Sequence, residues 1–224
     1  MQTKREIIVT GDGSRTIHFP ELNENYHSSH GALQEARHVF LRNGYDDFAD
    51  RQEIAVFEVG LGTGLNAILT LQEADRNKIH TRYTGIEAFP VSDEELKALD
   101  YKELLDDEEV VLKYNNMHAG QWGEEYHLSP YFSISKIHSE IQNYLFPEEE
   151  FDLVYFDAFG PRVQEEMWKP ELFEKLYRSM KMGGMLVTYC AKGQVKRDLK
   201  SVGFIVETVP GPPGKREMTR AWKK

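Results

Sequence analysis

Three carboxylates stand where an α/β chain does its chemistry. Glu58 lies two residues before the first glycine of Gly60-Leu61-Gly62-Thr63-Gly64. Glu87 closes the short β-prone run Tyr83-Thr84-Gly85-Ile86, and Asp157 closes the apolar run Phe151 to Phe156. In open α/β sheets, ligands bind beyond the carboxyl ends of the strands. A glycine-rich strand-to-helix turn lets the backbone approach a ligand that side chains would push away, and it aims helix-start N–H groups at that ligand. The spacing Gly-x-Gly-x-Gly differs from the Gly-x-Gly-x-x-Gly of dinucleotide binders, and no Gly-Lys-Ser/Thr is present to hold a triphosphate. Glu87 follows Gly64 by about 20 residues, the distance at which an acid meets a ribose hydroxyl pair. The expected ligand is an adenosine without a phosphate chain. S-adenosylmethionine fits, because Glu58 and Asp157 would face its cationic sulfonium and amine. The competing reading is a strand end with solvated carboxylates.

Asp157-Ala158-Phe159-Gly160-Pro161 follows its strand where amine methyltransferases carry a short acidic or amide motif with proline and an aromatic. An alkylamine attacks only when neutral, yet its pKa in water is near that of lysine, about 10. A carboxylate can hold the ammonium form on arrival and accept or relay its proton, and in-line positioning supplies much of the rate. Asp157 is therefore the expected catalytic residue, with a turn-stabilising aspartate as the alternative. Phe159 either stacks on a substrate base or belongs to the core. The histidines are scattered without metal-ligand spacing; His30, His118 and His138 read as solvated or hydrogen-bonded. Cys190 lies in an apolar run and reads as core.

The elements that must position these groups follow from periodicity. Ile7 to Val9 and Thr16 to Phe19 flank an Asp-Gly turn and predict a hairpin. Ala32 to Leu41 has helical spacing. Strands are expected at Ile54–Val59, Tyr83–Ile86, Phe132–Ile137, Phe151–Asp157, Met185–Cys190, Phe204–Val209 and Arg216–Trp222. Helices are expected from Gly64 to Asp75, from Ser92 with a capping box to Glu95, from His138 to Leu145, from Pro170 to Met180 and from Gln194 to Ser201. Residues 101–130 show no clean period and read as an irregular insertion with a short helix or strand near Val110 to Tyr114. Alternating strands and helices predict a mostly parallel sheet covered on both faces, with one antiparallel edge. A single domain over 1–224 is expected, with 1–50 as an N-terminal extension and 51–224 as a Rossmann-like core.

Composition narrows the class. The chain has 224 residues, 40% hydrophobic and 29% charged, as ordinary globular proteins do. No run approaches the roughly 20 apolar residues that span a bilayer, and the first residues lack the apolar centre of a signal peptide, so a cytoplasmic protein without membrane or metal partners is expected. The net charge of −10 argues against a general nucleic-acid coat. The charge is uneven: residues 192–224 carry nine Lys or Arg against three Asp or Glu, which leaves −16 on residues 1–191. A basic C-terminal segment on an acidic body permits a local polyanion contact.

Several stretches carry a resemblance that runs in order along nearly the whole chain. They are Tyr26 to Leu41, Glu58 to Asn66, Glu87-Ala88-Phe89-Pro90, Asp157 to Pro161 with Met167-Trp168, Leu172-Phe173, Gly183-Gly184 and Gly214-Lys215-Arg216-Glu217-Met218. With these the sequence resembles the methyltransferase domain of the MnmC-type enzymes. The resemblance implies a class I methyltransferase fold with a seven-stranded sheet. It also implies methyl transfer from S-adenosylmethionine to the aminomethyl group of a tRNA wobble uridine, giving 5-methylaminomethyl-2-thiouridine. Because the chain stops at Lys224, a stand-alone methyltransferase is implied, with a separate enzyme making the aminomethyl precursor. Carried over by position, Glu58, Gly60, Gly62, Gly64 and Asn66 would line the methionine end, Glu87 would hold the ribose, and Phe89 would lie near the adenine. Asp157 and Phe159 would face the amine. Lys192, Lys196, Arg197, Lys215 and Arg216 would meet phosphates of the tRNA anticodon region. One departure stands out: Ser135-Lys136 occupies the place where the family often has an acid for the adenine amine. A methyltransferase acting on a free small amine is the alternative function; a nicotinamide-dependent oxidoreductase and a non-catalytic binding module are further ones.

Overall fold

The computed structural model describes residues 4–11, 13–26 and 31–224. His30 lies outside the described residues. The chain opens with β1 (Glu6–Val9), β2 (Arg15–Phe19) and β3 (Glu24–Asn25), which form a small antiparallel sheet, and continues into α1 (Ala32–Ala36). The expected helix over 32–41 divides: α1 passes into a π-helical turn at Arg37–Arg42, then a 3-10 turn at Tyr45–Phe48.

The core elements follow as β4 (Glu53–Val59), α2 (Leu65–Asn77), β5 (His80–Glu87), α3 (Asp93–Leu99), α4 (Lys102–Leu105), α5 (Glu108–Ala119), β6 (Glu125–Ser129) and β7 (Phe132–His138). Then come β8 (Phe151–Phe156), α6 (Pro170–Ser179), β9 (Met180–Thr188), α7 (Gly193–Ser201), β10 (Ile205–Pro210) and β11 (Glu217–Trp222). The main sheet has eight strands in the order β10-β11-β9-β8-β4-β5-β7-β6. Its centre is parallel, with β4 between β5 and β8.

The helix expected from His138 to Leu145 is only a 3-10 turn at Ile141–Asn143, and two details of the main sheet also differ from the sequence expectation. The eighth strand is β6, which pairs antiparallel with β7. It comes from the stretch read as irregular, which holds a regular helix as well. The buried residues of α5 are Val110, Tyr114 and Met117, correctly spaced but diluted by polar neighbours, and β6, an outer strand, buries only Ser129. At the other end, antiparallel β11 is not the edge strand; it lies between β9 and β10. A strand that returns beside β9 buries Met218, Thr219 and Ala221, whereas β10 at the margin stays exposed or half-buried.

The pleat of β4 sorts its side chains. Ile54 and Val56 join the apolar layer that contains α2 and α5, while Ala55, Phe57 and Val59 join the layer under α6 and α7. All residues from Ile54 to Val59 are buried, as expected for a strand covered on both faces. The capping box at α3 is formed: the Glu95 N–H donates to Ser92 Oγ at 3.2 Å and the Ser92 N–H donates to Glu95 Oε2 at 2.8 Å.

Candidate active site

The strand registers place the acids. Glu58 pairs across the sheet with Gly85 on one side and Tyr155 on the other. One pleat further on, the same row reads Glu87, Gly60, Asp157. Side chains on one face recur every second residue, so Glu87 and Asp157 flank a position that has no side chain. A Cβ at Gly60 would lie 2.8 Å from the Asp157 carbonyl oxygen. Here a cavity of about 670 Å³ opens, lined by Gly60, Gly62, Asn66, Glu87, Phe89, Asp157 and Phe159 among others. That volume is ordinary for a small-molecule site.

Glu58 does not reach this cavity. It sits one row below, fully buried, and accepts from Asn66 Nδ2 at 2.8 Å and from the Tyr83 hydroxyl at 2.7 Å. Burial, opposed by those two bonds, pushes its carboxyl well above the usual range. The same Asn66 amide group donates to Asp157 Oδ2 at 2.9 Å. Asn66 thus joins a buried acid to a cavity-facing one, and its own Oδ1, buried, has no hydrogen-bond partner among the described residues. An unsatisfied buried acceptor costs free energy, and a donor on a bound ligand would relieve it.

The first N–H groups of the glycine turn are used within the protein. The Gly60 and Leu61 N–H groups both donate to the Ile86 carbonyl at 3.0 Å, and the Gly62 N–H donates to Glu87 Oε2 at 2.9 Å. The Phe89 N–H takes the other oxygen, Glu87 Oε1, at 2.8 Å. These bonds aim the Glu87 carboxylate, and each oxygen keeps a lone pair for a diol. Gly64 lies away from the cavity; a Cβ there would run into Met117 and His118 of α5. His118 donates from Nε2 to the Thr63 carbonyl, and burial lowers its pKa to about 4.

The cover comes from the N-terminal sheet. Phe19, Tyr26 and Phe159 form a triangle with ring centroids 5.1–5.6 Å apart. Arg5 reaches across to the opposite wall: its guanidinium donates to the Phe89 carbonyl at 2.9 Å and the Pro90 carbonyl at 3.4 Å, and pairs with Glu95 at 3.2 Å. Phe89 itself is 62% exposed beside the cavity. Below Asp157, Gln164 Oε1 accepts from the Phe159 N–H at 3.0 Å, and Trp168 Nε1 donates to the Phe159 carbonyl at 2.7 Å, so the Asp157–Pro161 loop is pinned at Phe159.

On the β7 side, the strand continues to His138, and Ser139, Glu140, Ile141 and Gln142 line the cavity. The sequence reading ended this strand one residue early and looked for the acid at Ser135-Lys136. Lys136 is instead an interior residue whose Nζ donates to the His118 carbonyl at 2.9 Å. The acid at the strand exit is Glu140.

The proposed phosphate contacts lie outside the cavity. Lys192, Arg197 and Arg216 are exposed, Lys196 pairs with Glu217 at 3.2 Å, and Lys215 pairs with Glu35. Among the described residues, no group of three or more His, Cys, Asp or Glu is arranged to hold a metal ion, and no helix is long and apolar enough to cross a membrane.

Comparison with known proteins bears on the fold and the cofactor. A family model described as S-adenosyl-L-methionine-dependent methyltransferase matches residues 122–224. The "tRNA 5-methylaminomethyl-2-thiouridine biosynthesis bifunctional protein MnmC" of Cupriavidus metallidurans is 31% identical over 96% of this chain and 33% of its own length. The protein of the same name from Leptospira interrogans is 30% identical over 94% of this chain and 34% of its own. The crystal structure of MNMC2 from Aquifex aeolicus superposes on the whole chain and on 72% of its own, with a TM-score of 0.75 at 24% identity. The chain is similar in sequence to one part of these MnmC proteins and shares the Rossmann-like fold of the solved structure. It spans about a third of the length of the curated relatives it matches.

The residues of this methyltransferase fold fit S-adenosylmethionine. Glu87 offers a carboxylate for the ribose hydroxyls, Asn66 Oδ1 an unused acceptor, Asp157 a counter-charge, and Gly60 the room a side chain would fill. Burial and the nearby Glu35 push the Asp157 carboxyl up to about 7, against the Asn66 bond and Lys215, which favour ionisation. The neutral acid is thus the ground state of the free protein below that pH. A cation beside it favours the ionised form, so cofactor binding below pH 7 must expel a proton. Affinity for S-adenosylmethionine is expected to rise by up to about tenfold per pH unit from pH 5.5 to 7 and to level off above. Titration calorimetry in two buffers of different ionisation heat measures this; an affinity flat across that range would remove Asp157 from contact with the cofactor's charge.

Proposed function

We propose that this chain transfers a methyl group from S-adenosylmethionine to the aminomethyl nitrogen on the wobble uridine of tRNA, giving 5-methylaminomethyl-2-thiouridine. The observation that carries the reading is Asp157, a carboxyl balanced near neutrality at the junction of the cavity and the pinned Phe159 loop. The MnmC names of the relatives support the substrate.

When bound, S-adenosylmethionine supplies a methyl carbon whose bond to sulfur breaks with the electron pair staying on sulfur. The protein's own part is to prepare the amine. An alkylammonium with a pKa of about 10 carries no lone pair. Ionised Asp157 accepts one of its N–H bonds, takes that proton or passes it to water, and leaves the nitrogen lone pair free to attack. Asn66 fixes the carboxylate through Oδ2, so Oδ1 is the oxygen that meets the amine. Phe159, with its carbonyl and amide both held, offers a fixed ring edge for the uracil. A single extruded base suits a covered site of this kind. Exposed Lys192, Arg197 and Arg216 would meet phosphates, which set affinity and its salt dependence more than base choice. This reading places the protein in the cytoplasm with tRNA, downstream of an enzyme that makes the aminomethyl group, and treats 1–224 as one domain.

The test is mass spectrometry of tRNA nucleosides after incubation with labelled S-adenosylmethionine. Label in 5-methylaminomethyl-2-thiouridine is expected in tRNA that carries the aminomethyl precursor. The net charge of −10 favours a second reading, a free small amine as acceptor. Salt-insensitive activity on free amines with none on tRNA would decide for it.

A further inference from the structure

Glu58 is a buried acid that the chemistry above does not use. It stands on β4, one row below the cavity, and is fully buried. A carboxylate in such a place is costly unless donors reach it. Here donors reach both oxygens, from two different elements. Tyr83 of β5, itself buried, donates its hydroxyl to Oε2 at 2.7 Å, and Asn66 of α2 donates from Nδ2 to Oε1 at 2.8 Å. The other Nδ2 hydrogen of Asn66 goes to Asp157 Oδ2 at 2.9 Å. The backbone of Asn66 is held as well: its carbonyl accepts from the Thr70 hydroxyl at 2.7 Å, and that hydroxyl meets the Tyr155 hydroxyl at 3.2 Å.

A side-chain amide has one donor end and one acceptor end. The two acids claim the donor end of Asn66, so its oxygen points elsewhere. The bond to Asp157 alone decides which end faces the acids but leaves the amide plane free to turn about it. The second bond, to Glu58, fixes the plane. That bond stands whether Glu58 is ionised or carries its proton on Oε2, because the Tyr83 hydroxyl accepts as well as it donates. The outcome is an oxygen on a side chain only 2% exposed, on the cavity lining, without a hydrogen-bond partner among the described residues. A buried acceptor left open calls for a donor from the ligand. Glu87, on the other side of Gly60, suits the ribose hydroxyls, which leaves the α-ammonium as the donor for the Asp157 side.

We infer that Tyr83 and Glu58 are positioning residues: together they turn the Asn66 amide so that its Oδ1 accepts from the α-ammonium of S-adenosylmethionine. The inference rests on the cofactor site described above and goes beyond it, since neither Tyr83 nor Glu58 lines the cavity. A leucine at position 58 would fill similar space and leave the amide free to turn.

The test is calorimetry on the full chain with S-adenosylhomocysteine and with its deaminated analogue, in which hydrogen replaces the α-amino group. The wild type is expected to favour S-adenosylhomocysteine more than tenfold, since one hydrogen bond to a charged group is worth about tenfold and Asp157 acts on the same cation. The double variant Glu58→Leu/Tyr83→Phe removes both members of the buried pair, so neither is left unpaired. It is expected to lower that preference about tenfold while binding the deaminated analogue as the wild type does; a purely structural loss would weaken both ligands alike. Glu58→Gln should keep the preference, because its amide oxygen still accepts from Asn66 while its amide nitrogen donates to the Tyr83 hydroxyl. An undiminished preference in the double variant overturns the proposal. So does a loss in Glu58→Gln as large as in the double variant, which would make charge rather than orientation the cause. In both cases bound S-adenosylhomocysteine leaves the cofactor reading standing. A wild type that binds the two ligands equally overturns the assignment of Asn66 Oδ1, and one that binds neither overturns the cofactor site as well. Should the double variant fail to fold, Tyr83→Phe alone is expected to lower the preference about threefold, the low end for one hydrogen bond, and an unchanged preference there overturns the proposal.

Discussion

Asp157→Asn is expected to lower turnover at least ~100-fold, the scale of lost acid–base help, while leaving the fold and cofactor site in place. The asparagine carbonyl can still accept the bond from Asn66 Nδ2 that Asp157 Oδ2 now accepts. What it cannot do is ionise. A second consequence separates a chemical role from a structural one. With its carboxyl at about 7 in the folded protein and near 4 when unfolded, Asp157 binds its proton more tightly in the native state. Its contribution to stability therefore falls as pH rises from about 4 to 7 and stays at its lowest above. Asp157→Asn should unfold at a higher temperature than wild type at pH 8 and show a smaller advantage at pH 5. Calorimetric melting at the two pH values, beside steady-state rates on precursor tRNA, makes the comparison. An unchanged turnover would remove Asp157 from the mechanism.

Gly62→Leu is expected to abolish cofactor binding. Gly62 has φ +51°, a left-handed conformation that costs a leucine about 1–2 kcal/mol. A Cβ there already lies 2.9 Å from the Tyr26 ring, before the rest of the leucine is placed. The side chain must either push Tyr26 out of its triangle with Phe19 and Phe159 or fill the cavity that Gly62 lines. Either result removes the enclosed space. Calorimetry with S-adenosylhomocysteine should detect no binding while the far-UV spectrum stays native. Retained micromolar affinity would refute the placement of the cofactor against this turn.

The reasons behind these two effects were unequally visible in the residues. The apolar runs Ile54–Val59 and Phe151–Phe156 announce buried parallel strands, and the acids at their ends are legible because function interrupts an otherwise hydrophobic pattern. Glu58 is the instructive exception. Its position in the chain is as suggestive as that of Glu87 or Asp157, yet it faces Tyr83 and Asn66 inside the protein. Period-two counting from Glu58 to Gly60 would have shown that the cavity row begins one pleat later. Asn66 needed the structure, because its importance lies in touching two acids from different strands. The parts played by Tyr26, Arg5 and Tyr83 were hidden for a similar reason: each acts across a gap in the chain that no local period encodes. The end of β7 was placed one residue short because His138 is a weak strand signal, and the cavity-lining residues beyond it, Ser139 to Gln142, were read as part of a helix.

The clasp made by Arg5 ties the roof of the chamber to its far wall through two main-chain oxygens and one acid. Arg15, which donates to the Ala98 carbonyl at 2.9 Å, and the Arg162–Glu24 pair at 3.1 Å add further side-chain ties between the N-terminal sheet and the body. The sheet beneath is held instead by continuous backbone ladders, so the roof rests on the parallel strands through side chains and carries none of their backbone pairing.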